Sequence, residues 1–343
     1  MNMIFDRKLP IPMETKEMYP LTQHVAEAIA KRRAEIEKIF KGEDDRIVLI
    51  IGPCSADRED SVMDYLSHLA KVQEKVEERI LIIPRVYTNK PRTTGKGYKG
   101  LLHQPDPTGK PDLFEGIVAC RKLHMRAVAE TGMCTADEML YPQNYKYLDD
   151  ILGYVAVGAR SVEDQEHRLV SSGIEVPVGM KNPTSGDLNV MMNSIIAAQS
   201  QHDFIYRGWA AHSMGNPLAH AIMRGYTDEY GEALPNYHYE DIIRVAEQYE
   251  KHPELSNPSV VIDCNHSNSK KDPLQQPRIA KEVLNYSKYN SELKSLIKGF
   301  MIESYLEDGN QPVDGGVYGK SITDACLGWE KSECLIREMA ELV

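Results

Sequence analysis

Short apolar runs recur along the chain, separated by longer stretches whose apolar residues follow a helical spacing. The runs have the length of buried strands, and the stretches between them are long enough for helices. Strands that alternate with helices predict a parallel sheet, and eight strands close a (β/α)8 TIM barrel. The eight runs cover residues 47–51, 80–84, 125–129, 154–157, 176–180, 219–223, 260–262 and 297–302.

Two segments lie outside this alternation. Residues 22–40 carry Val25, Ile29, Ile36 and Phe40 near a 3.6-residue period, which predicts a helix ahead of the first strand that stops near Gly42. Two further short runs, 203–207 and 210–214, predict a β-hairpin just before the sixth barrel strand. We therefore expect one barrel domain over residues 1–343, with an N-terminal helical extension (1–45) and an inserted hairpin (203–216).

Composition narrows the classes of function. A formal net charge of -11 disfavours a general affinity for nucleic acid or for anionic membranes. Six cysteines occur without a CxxC pair, and the first twelve residues lack the apolar core of a signal peptide. No apolar run approaches the roughly 20 residues that span a bilayer. We expect a cytoplasmic protein with reduced thiols that binds neither nucleic acid nor membrane.

The residue that follows each apolar run is polar, ionisable or able to bind a metal. In barrels of this kind the chemistry lies at the carboxyl ends of the strands. One arginine at a strand end means little, because strands end near water, but eight such residues together predict a site. In chain order they are Cys54, Arg85, Glu130, Arg160, Lys181, Arg224, His266 and Glu303.

These residues and their neighbours form two chemical groups. The first is cationic, and its mixture of arginine forks and lysine point charges suits substrates that bear phosphate and carboxylate; its members are Arg85, Lys90, Arg92, Arg160, Lys181 and Arg224. The second offers a thiolate, an imidazole and carboxylates, which together accept a divalent Mn, Fe, Co or Zn; its members are Cys54, His266, Glu303 and Asp324.

A loop that directly follows the second run carries two cations beside two hydroxyls. Its sequence is Lys90-Pro91-Arg92-Thr93-Thr94-Gly95. The proline and the charges cannot continue a buried strand, so the chain turns there. Ammonium, guanidinium and hydroxyl groups are the side chains that hold a phosphate dianion.

Several motifs, in this order, resemble one family. They are Gly-Pro-Cys-Ser, Lys-Pro-Arg-Thr-Thr, Gly-Ala-Arg, Pro-Val-Gly-Met-Lys-Asn, Asp-Cys-Asn-His-Ser-Asn-Ser and Tyr-Gly-Lys-Ser-Ile-Thr-Asp-Ala-Cys. From about Lys41 to the C-terminus the chain resembles the type I, feedback-regulated bacterial and fungal class of 3-deoxy-D-arabino-heptulosonate 7-phosphate (DAHP) synthase. The resemblance implies a metal-dependent condensation of phosphoenolpyruvate with erythrose 4-phosphate, the first step of the shikimate pathway.

Carried over residue by residue, the resemblance implies the same two groups. Cys54, His266, Glu303 and Asp324 would hold the metal. Phosphoenolpyruvate would be bound by Arg85, Lys90, Arg160, Lys181 and Arg224, and the aldose phosphate by Pro91, Arg92, Thr93 and Thr94. A related synthase that uses a pentose phosphate typically carries Lys-Ala-Asn-Arg-Ser at this loop, so the loop favours erythrose 4-phosphate. Lys181 and Glu130 are candidates for the proton transfers, which the sequence does not assign.

Regulation and assembly stay open at this stage. The class is commonly inhibited by an aromatic amino acid, here Phe or Tyr, in a pocket that the extension and the hairpin help to form. Glu175 stands where that pocket would have a small or apolar residue. The apolar face of the N-terminal helix suggests a homodimer or homotetramer. Two rival functions are a class I aldolase that uses Lys181 as a Schiff-base amine, and a silent barrel that only binds phosphorylated metabolites.

Overall fold

Eight parallel strands form a nearly closed barrel in a computed structural model that describes residues 2–343. The order around the sheet is β2-β1-β12-β11-β8-β5-β4-β3, and a parallel bridge between Arg85 and Ala136 joins the two end strands. This arrangement confirms the predicted barrel. The barrel strands are β1 (Ile47–Gly52), β2 (Ile80–Pro84), β3 (Ala136–Glu138), β4 (Tyr154–Val157), β5 (Val178–Lys181), β8 (Ala219–Met223), β11 (Val260–Asp263) and β12 (Ile297–Glu303).

Helices surround the barrel, and helices also form the extension that precedes it. In the part of the chain that the structure describes, no helix is both long and apolar enough to cross a membrane. The helices are α1 (Pro12–Met18), α2 (Gln23–Lys41), α3 (Glu59–Val76), α4 (Leu113–Thr131), α5 (Gln165–Ser171), α6 (Leu188–Gln199), α7 (Tyr239–Glu250), α8 (Gln276–Ser287), α9 (Ser291–Leu296) and α10 (Trp329–Leu342), and 3-10 turns cover Pro142–Tyr147 and Pro273–Gln275.

The third strand is not where the sequence predicts it. Residues 125–129 lie within helix α4, which begins at its cap Asp112 and ends at Gly132, whose φ is 66°. A short apolar run fits a strand or one face of a helix equally well, and this one belongs to the helix. The true third strand, Ala136–Glu138, has only three residues and two of them are acidic. It therefore lacks the apolar signature of a buried strand.

Helix α2 closes the amino-terminal end of the barrel. Thr22 caps its first turn and Gly42 ends it at φ 72°, as its sequence predicts. Ile36, Ile39 and Phe40 pack with side chains of the barrel interior, and the Phe40 ring centroid lies 4.4 Å from that of His220. The opposite, carboxyl-terminal end of the barrel is left as the open end.

The predicted hairpin is present and antiparallel. It consists of β6 (His202–Tyr206) and β7 (Trp209–Ser213), between α6 and the sixth barrel strand β8. Arg207 and Gly208 at its tip both have positive φ, 52° and 80°, as a two-residue type I′ turn requires. A second small ribbon pairs β9 (Tyr226–Thr227) with β10 (Ala233–Leu234).

Candidate functional site

A cavity of about 280 Å³ opens at the carboxyl ends of the barrel strands. This is the end at which parallel barrels carry their chemistry. Most residues that the sequence singles out line this cavity, although they come from seven separate segments of the chain. They are Cys54, Arg85, Lys90, Pro91, Arg92, Thr93, Thr94, Arg160, Lys181, Arg224, His266 and Asp324, and the buried Glu303 lies directly against them.

Glu130 is the exception. It lies on the outer helix α4, its side chain is 51% exposed, and it accepts a hydrogen bond from Arg126 Nε at 2.6 Å. Its selection as a strand-end residue was wrong because the run before it is helical. The acid at the end of the true third strand is Glu138, which lines the cavity with Oε2 3.8 Å from Lys181 Nζ.

The thiol and two carboxylates of the second group converge. Cys54 Sγ and one oxygen each of Glu303 and Asp324 all lie within 4.8 Å of one another. His266 Nε2 lies 3.8 Å from Glu303 Oε1. Cys54, Glu303 and Asp324 therefore form one cluster although they are far apart in the chain, and His266 lies beside the cluster through Glu303.

A cationic side chain already lies among these donors. Lys90 Nζ is 2.8 Å from Cys54 Sγ and 2.9 Å from Asp324 Oδ2. Burial lowers the pKa of Lys90, but the charges of Cys54, Asp324 and Glu303 outweigh it and raise the pKa overall. Burial and the charge of Glu303 raise the pKa of the Cys54 thiol. A thiol and two carboxylates this close together require a positive charge, and the Lys90 ammonium supplies it. The same residues therefore also fit a divalent cation.

His266 is oriented by a buried carboxylate. Its Nδ1 lies 2.9 Å from Asp263 Oδ2, which leaves Nε2 to face Glu303. Its backbone is held at φ 52°, a left-handed conformation that few non-glycine residues adopt. Burial raises the pKa of Asp263, but His266 and Lys181 outweigh it and hold that pKa well below its ordinary value. A carboxylate behind a histidine in this way is a common support for a metal ligand.

Arg85 lies beneath the cavity and is almost fully buried. Its Nη2 donates to Glu303 Oε1 at 2.7 Å, and its guanidinium stacks over the Tyr87 ring at 3.9 Å. Its Nη1 is buried without a hydrogen-bond partner. A buried guanidinium N–H of this kind is costly to leave unpaired, so it indicates a place for a ligand oxygen.

Three more cations line the cavity: Arg160 and Arg224, and Lys181, which faces the carboxylates of Glu138 and Asp263. Arg224 contacts Ser267 Oγ at 3.3 Å and no carboxylate. Burial and the nearby charge of Arg160 lower its pKa, against the opposing effect of Asp263. Lys181 Nζ lies 3.3 Å from Asp263 Oδ2. Two arginines and a lysine that crowd one wall are stabilised by an anion between them.

The 90–99 loop forms the remaining wall. Its neck is closed by the bond from Lys90 N to Lys99 O at 3.0 Å, and Arg92 Nε donates to Tyr98 O at 2.8 Å. Thr93 and Thr94 are exposed at the rim. Gly100, at φ 98°, is required because a Cβ there would lie 2.4 Å from Thr88 O.

Among the ionisable residues that sequence reasoning missed are Glu138 and Lys271, which line the cavity, and Asp263, which is buried beneath it. Glu138 was hidden in the unrecognised third strand. Asp263 is visible in the Asp-Cys-Asn-His motif, where only the histidine was selected. Lys271, whose Nζ lies 3.1 Å from Asp324 Oδ1, follows a strand by several residues and carries no local signal.

The chain is similar to one family over almost its whole length. Residues 18–337 match the DAHP synthetase I family. A phospho-2-dehydro-3-deoxyheptonate aldolase of Haemophilus influenzae is 37% identical, with 98% of this chain and 92% of that protein covered. The Tyr-sensitive enzyme of that name from Escherichia coli is 36% identical, with coverage of 97% and 93%. The solved structure of a Francisella tularensis protein of the same name superposes with a TM-score of 0.92 at 31% identity, covering 100% of this chain and 98% of that one.

Proposed function

The chain belongs to the DAHP synthetase I family and is a 3-deoxy-7-phosphoheptulonate synthase, and we propose that the residues of its strand-end cavity carry out the condensation. This transferase joins phosphoenolpyruvate, D-erythrose 4-phosphate and water to give DAHP and phosphate, in the first step of the shikimate pathway to chorismate and the aromatic amino acids. The observation that carries the assignment of residues is one cavity in which a cationic wall and a thiol–carboxylate cluster meet at Lys90.

Phosphoenolpyruvate binds to the cations at the strand ends. Arg85, Arg160, Lys181 and Arg224, together with Lys90, supply the donors for its phosphate and carboxylate. The unpartnered Nη1 of Arg85 and the lack of a carboxylate on Arg224 support this role, since both gain hydrogen bonds from a ligand anion. Holding both ends of the enol phosphate fixes its carbon 3 for attack, and such positioning provides much of the rate gain in a two-substrate reaction.

The aldose phosphate binds to the 90–99 loop. Arg92, Thr93 and Thr94 hold its phosphate at the rim, and Pro91 shapes the turn between the two substrates. The exposure of both threonines supports this role, because a phosphate arriving second must reach them from solvent. Lys90 then lies between the substrates, next to the point where the new carbon–carbon bond forms.

Cys54, His266, Glu303 and Asp324 hold a divalent Mn, Fe, Co or Zn ion. When bound, the ion acts as a Lewis acid that favours attack on the aldehyde of the aldose. Asp263 keeps His266 in the orientation that exposes Nε2, and Arg85 keeps Glu303 ionised beneath the cluster. Lys90 balances the negative charge of Cys54 and Asp324, the charge that a bound cation would also balance.

Lys181 and Glu138 move the protons. Carbon 3 of the enol phosphate bonds to the aldehyde carbon, and the former aldehyde oxygen takes up a proton to become a hydroxyl. Water then adds at carbon 2, and its oxygen loses both protons as it becomes the ketone oxygen. Phosphate leaves with one proton as its bond to carbon 2 breaks, so the two protons of the water end on the new hydroxyl and on the phosphate. Lys181 Nζ donates a proton to the departing phosphate oxygen, and the Glu138 carboxylate accepts one of the protons that the water loses. The 3.8 Å separation of Lys181 Nζ from Glu138 Oε2 supports a relay between them.

Release of inorganic phosphate tests the function directly. The purified protein is incubated with both substrates and, in turn, with Mn, Fe, Co and Zn after chelation. We expect phosphate and DAHP to appear only when both substrates and a metal are present. No phosphate release under any of these metals would overturn the proposal.

An aromatic amino acid, Phe or Tyr, inhibits this reaction in our proposal. The name of the Escherichia coli relative includes Tyr-sensitive. The extension, the 142–147 turn and the hairpin are joined in this chain: Tyr147 Oη donates to Pro10 O and Tyr206 Oη to Pro142 O, both at 2.7 Å. Glu175, which stands at the expected pocket, is exposed. Adding Phe, Tyr and Trp singly to the phosphate assay identifies the effector.

Assembly as a homodimer or homotetramer belongs to the same proposal. Large apolar side chains are exposed on the extension and on the hairpin, where a second copy would cover them: Ile4, Phe5, Ile205 and Trp209. Sedimentation analysis distinguishes two subunits from four. A reducing cytoplasm suits the enzyme because Cys54 must remain a free thiol to bind metal.

A further inference from the structure

Two backbone hydrogen bonds close the neck of the 90–99 loop, and the loop also contacts the barrel through Lys90 Nζ and Tyr98 Oη. Thr88 immediately precedes the loop, and its carbonyl accepts a hydrogen bond from Leu102 N at 3.1 Å. Lys90 N donates to Lys99 O one step further along. Thr88, which is 1% exposed, therefore anchors the base of the neck, where the chain leaves the barrel and returns to it.

Thr88 is held by a buried carboxylate on the neighbouring strand. Asp137 Oδ1 accepts from Thr88 N at 2.9 Å, and Asp137 Oδ2 accepts from Thr88 Oγ1 at 2.5 Å. Asp137 is 5% exposed and lies on the short strand β3. Two bonds from one residue to one carboxylate fix both the backbone and the side chain of Thr88.

The carboxylate is itself fixed from behind. Asp137 Oδ1 also accepts from Glu138 N at 2.8 Å. His124, fully buried on α4, has Nδ1 2.7 Å from Thr135 Oγ1 and Nε2 3.6 Å from Asp137 Oδ2. A helix, a strand and the loop neck are thus tied together at a point that contributes no atom to the two substrate-binding walls.

We propose that Asp137 is a positioning residue that, through Thr88, sets the 90–99 loop for the aldose phosphate. The consequence for kinetics rests on the proposed function. Phosphoenolpyruvate is bound by Lys90 at the neck but also by four cations outside the loop, whereas Arg92, Thr93 and Thr94 reach the aldose only through the loop. Loosening the neck therefore weakens the binding of the aldose phosphate far more than the binding of the enol phosphate.

The test removes one hydroxyl and then restores it. Thr88→Val keeps the volume and deletes the Oγ1–H donor, and Thr88→Ser keeps the donor. Loss of a hydrogen bond to a charged group predicts a rise of about tenfold or more in KM for erythrose 4-phosphate, with KM for phosphoenolpyruvate within about twofold of wild type. Asp137→Asn should shift KM in the same direction, and Thr88→Ser should restore wild-type values.

Hydrogen exchange provides a readout that needs no turnover. In Thr88→Val, the Lys90 and Leu102 amides should exchange about tenfold faster, while the amides of α10 should keep their wild-type rates. Equal rises in both KM values with faster exchange throughout would mean a general structural role and overturn the proposal, as would wild-type behaviour of Thr88→Val. Absence of turnover in the wild type would contradict the proposed function, while the exchange rates would still decide the role of Asp137.

Discussion

The floor of the cavity and its loop wall are built in opposite ways. On the floor, Arg85, Glu303, Asp263 and Lys181 are almost fully buried, and each contacts an opposite charge within 3.3 Å. On the wall, residues 93–97 are exposed, and Arg92 has only the Tyr98 carbonyl as partner. The charges of the floor are fixed in position before any ligand binds, whereas the exposed groups of the wall are available to contact a ligand.

This difference separates two tasks. Buried charges that are mutually paired resist displacement, because moving one leaves another uncompensated. Such fixed charges suit the chemical step, because they can stabilise the charge that develops in the transition state without rearranging. An exposed loop of cations and hydroxyls selects a phosphorylated substrate by contacts made on arrival. Substitutions on the floor should therefore affect metal binding and turnover, and substitutions on the wall should affect the KM of one substrate.

The largest effect is expected at Cys54. Cys54→Ala removes the thiolate donor from the cluster, and metal-supported turnover should fall below detection with the fold intact. The measurements are phosphate release across added metals and circular dichroism. Cys334→Ala is the matched control, since Cys334 is exposed on α10 far from the cavity. Activity of Cys54→Ala in metal-free buffer would contradict the assignment of this ligand.

A smaller but still large effect is expected at Asp263. Asp263→Asn keeps the shape but removes the charge that orients His266 and pairs with Lys181. Loss of such a support behind a metal-binding histidine lowers metal affinity by about 10–100-fold. Competition with a fluorescent chelator measures that affinity. The control Asp314→Asn, at an exposed site, should leave the metal affinity unchanged. An unchanged metal affinity in Asp263→Asn would contradict the distinction between floor and wall.

The wall should respond in KM alone. Arg92→Met keeps a long side chain but deletes the guanidinium, so KM for erythrose 4-phosphate should rise by about tenfold or more while KM for phosphoenolpyruvate stays the same. Steady-state kinetics with each substrate varied in turn measures both values. Lys110→Met, in the same connecting segment but outside the cavity, serves as the control. A matching rise in both KM values would mean that the two substrates share Arg92.

The smallest effect on the reaction is expected at Asp57, which shows what a buried acid does without a close cation. Burial raises the pKa of Asp57 from 3.8 to about 6, and its Oδ1 accepts from Tyr305 Oη at 3.1 Å. Protonated Asp57 is thus favoured in the folded state, so its contribution to stability is complete below about pH 4 and is lost as the pH rises through 6. The carboxylates of the floor have lowered pKa values because cations face them.

Asp57→Asn removes this pH dependence. Relative to wild type, the variant should gain about 1–2 kcal/mol of unfolding free energy at pH 8 and little at pH 4. Urea denaturation at the two pH values measures the difference. Glu74→Gln makes the same change of charge at an exposed position of α3 and should show no such dependence. A gain that is equal at both pH values would show that ionisation of Asp57 is not its cause.

The sequence predicts the residues on the floor of the cavity better than it predicts the third strand of the barrel. Seven of the eight apolar runs correspond to barrel strands, so reading the residue after each run finds Cys54, Lys181 and His266 without any structure. The third strand escapes because Asp137 and Glu138, two of its three residues, serve the loop neck and the cavity instead of an apolar core. Its misplacement led directly to Glu130.

Contacts across the barrel could not be predicted at all. That Lys90 lies between Cys54 and Asp324, or that Asp263 faces both Lys181 and His266, depends on the order in which strands meet around the ring. Spacing along the chain carries no such information. The hairpin and helix α2 are the opposite case, since a positive-φ turn and a capped, periodic segment are encoded locally.

The first and last barrel strands along the chain are neighbours in the ring, where Val48 pairs with Gly299. Cys54 follows the first of these strands, and Glu303 and Asp324 accompany the last. A ribosome that has released only the first three hundred residues has therefore made one side of the metal centre without the other. With the proposed ligands, metal capture is a late event that requires completed synthesis, and a prematurely terminated chain has Cys54 without Glu303 or Asp324.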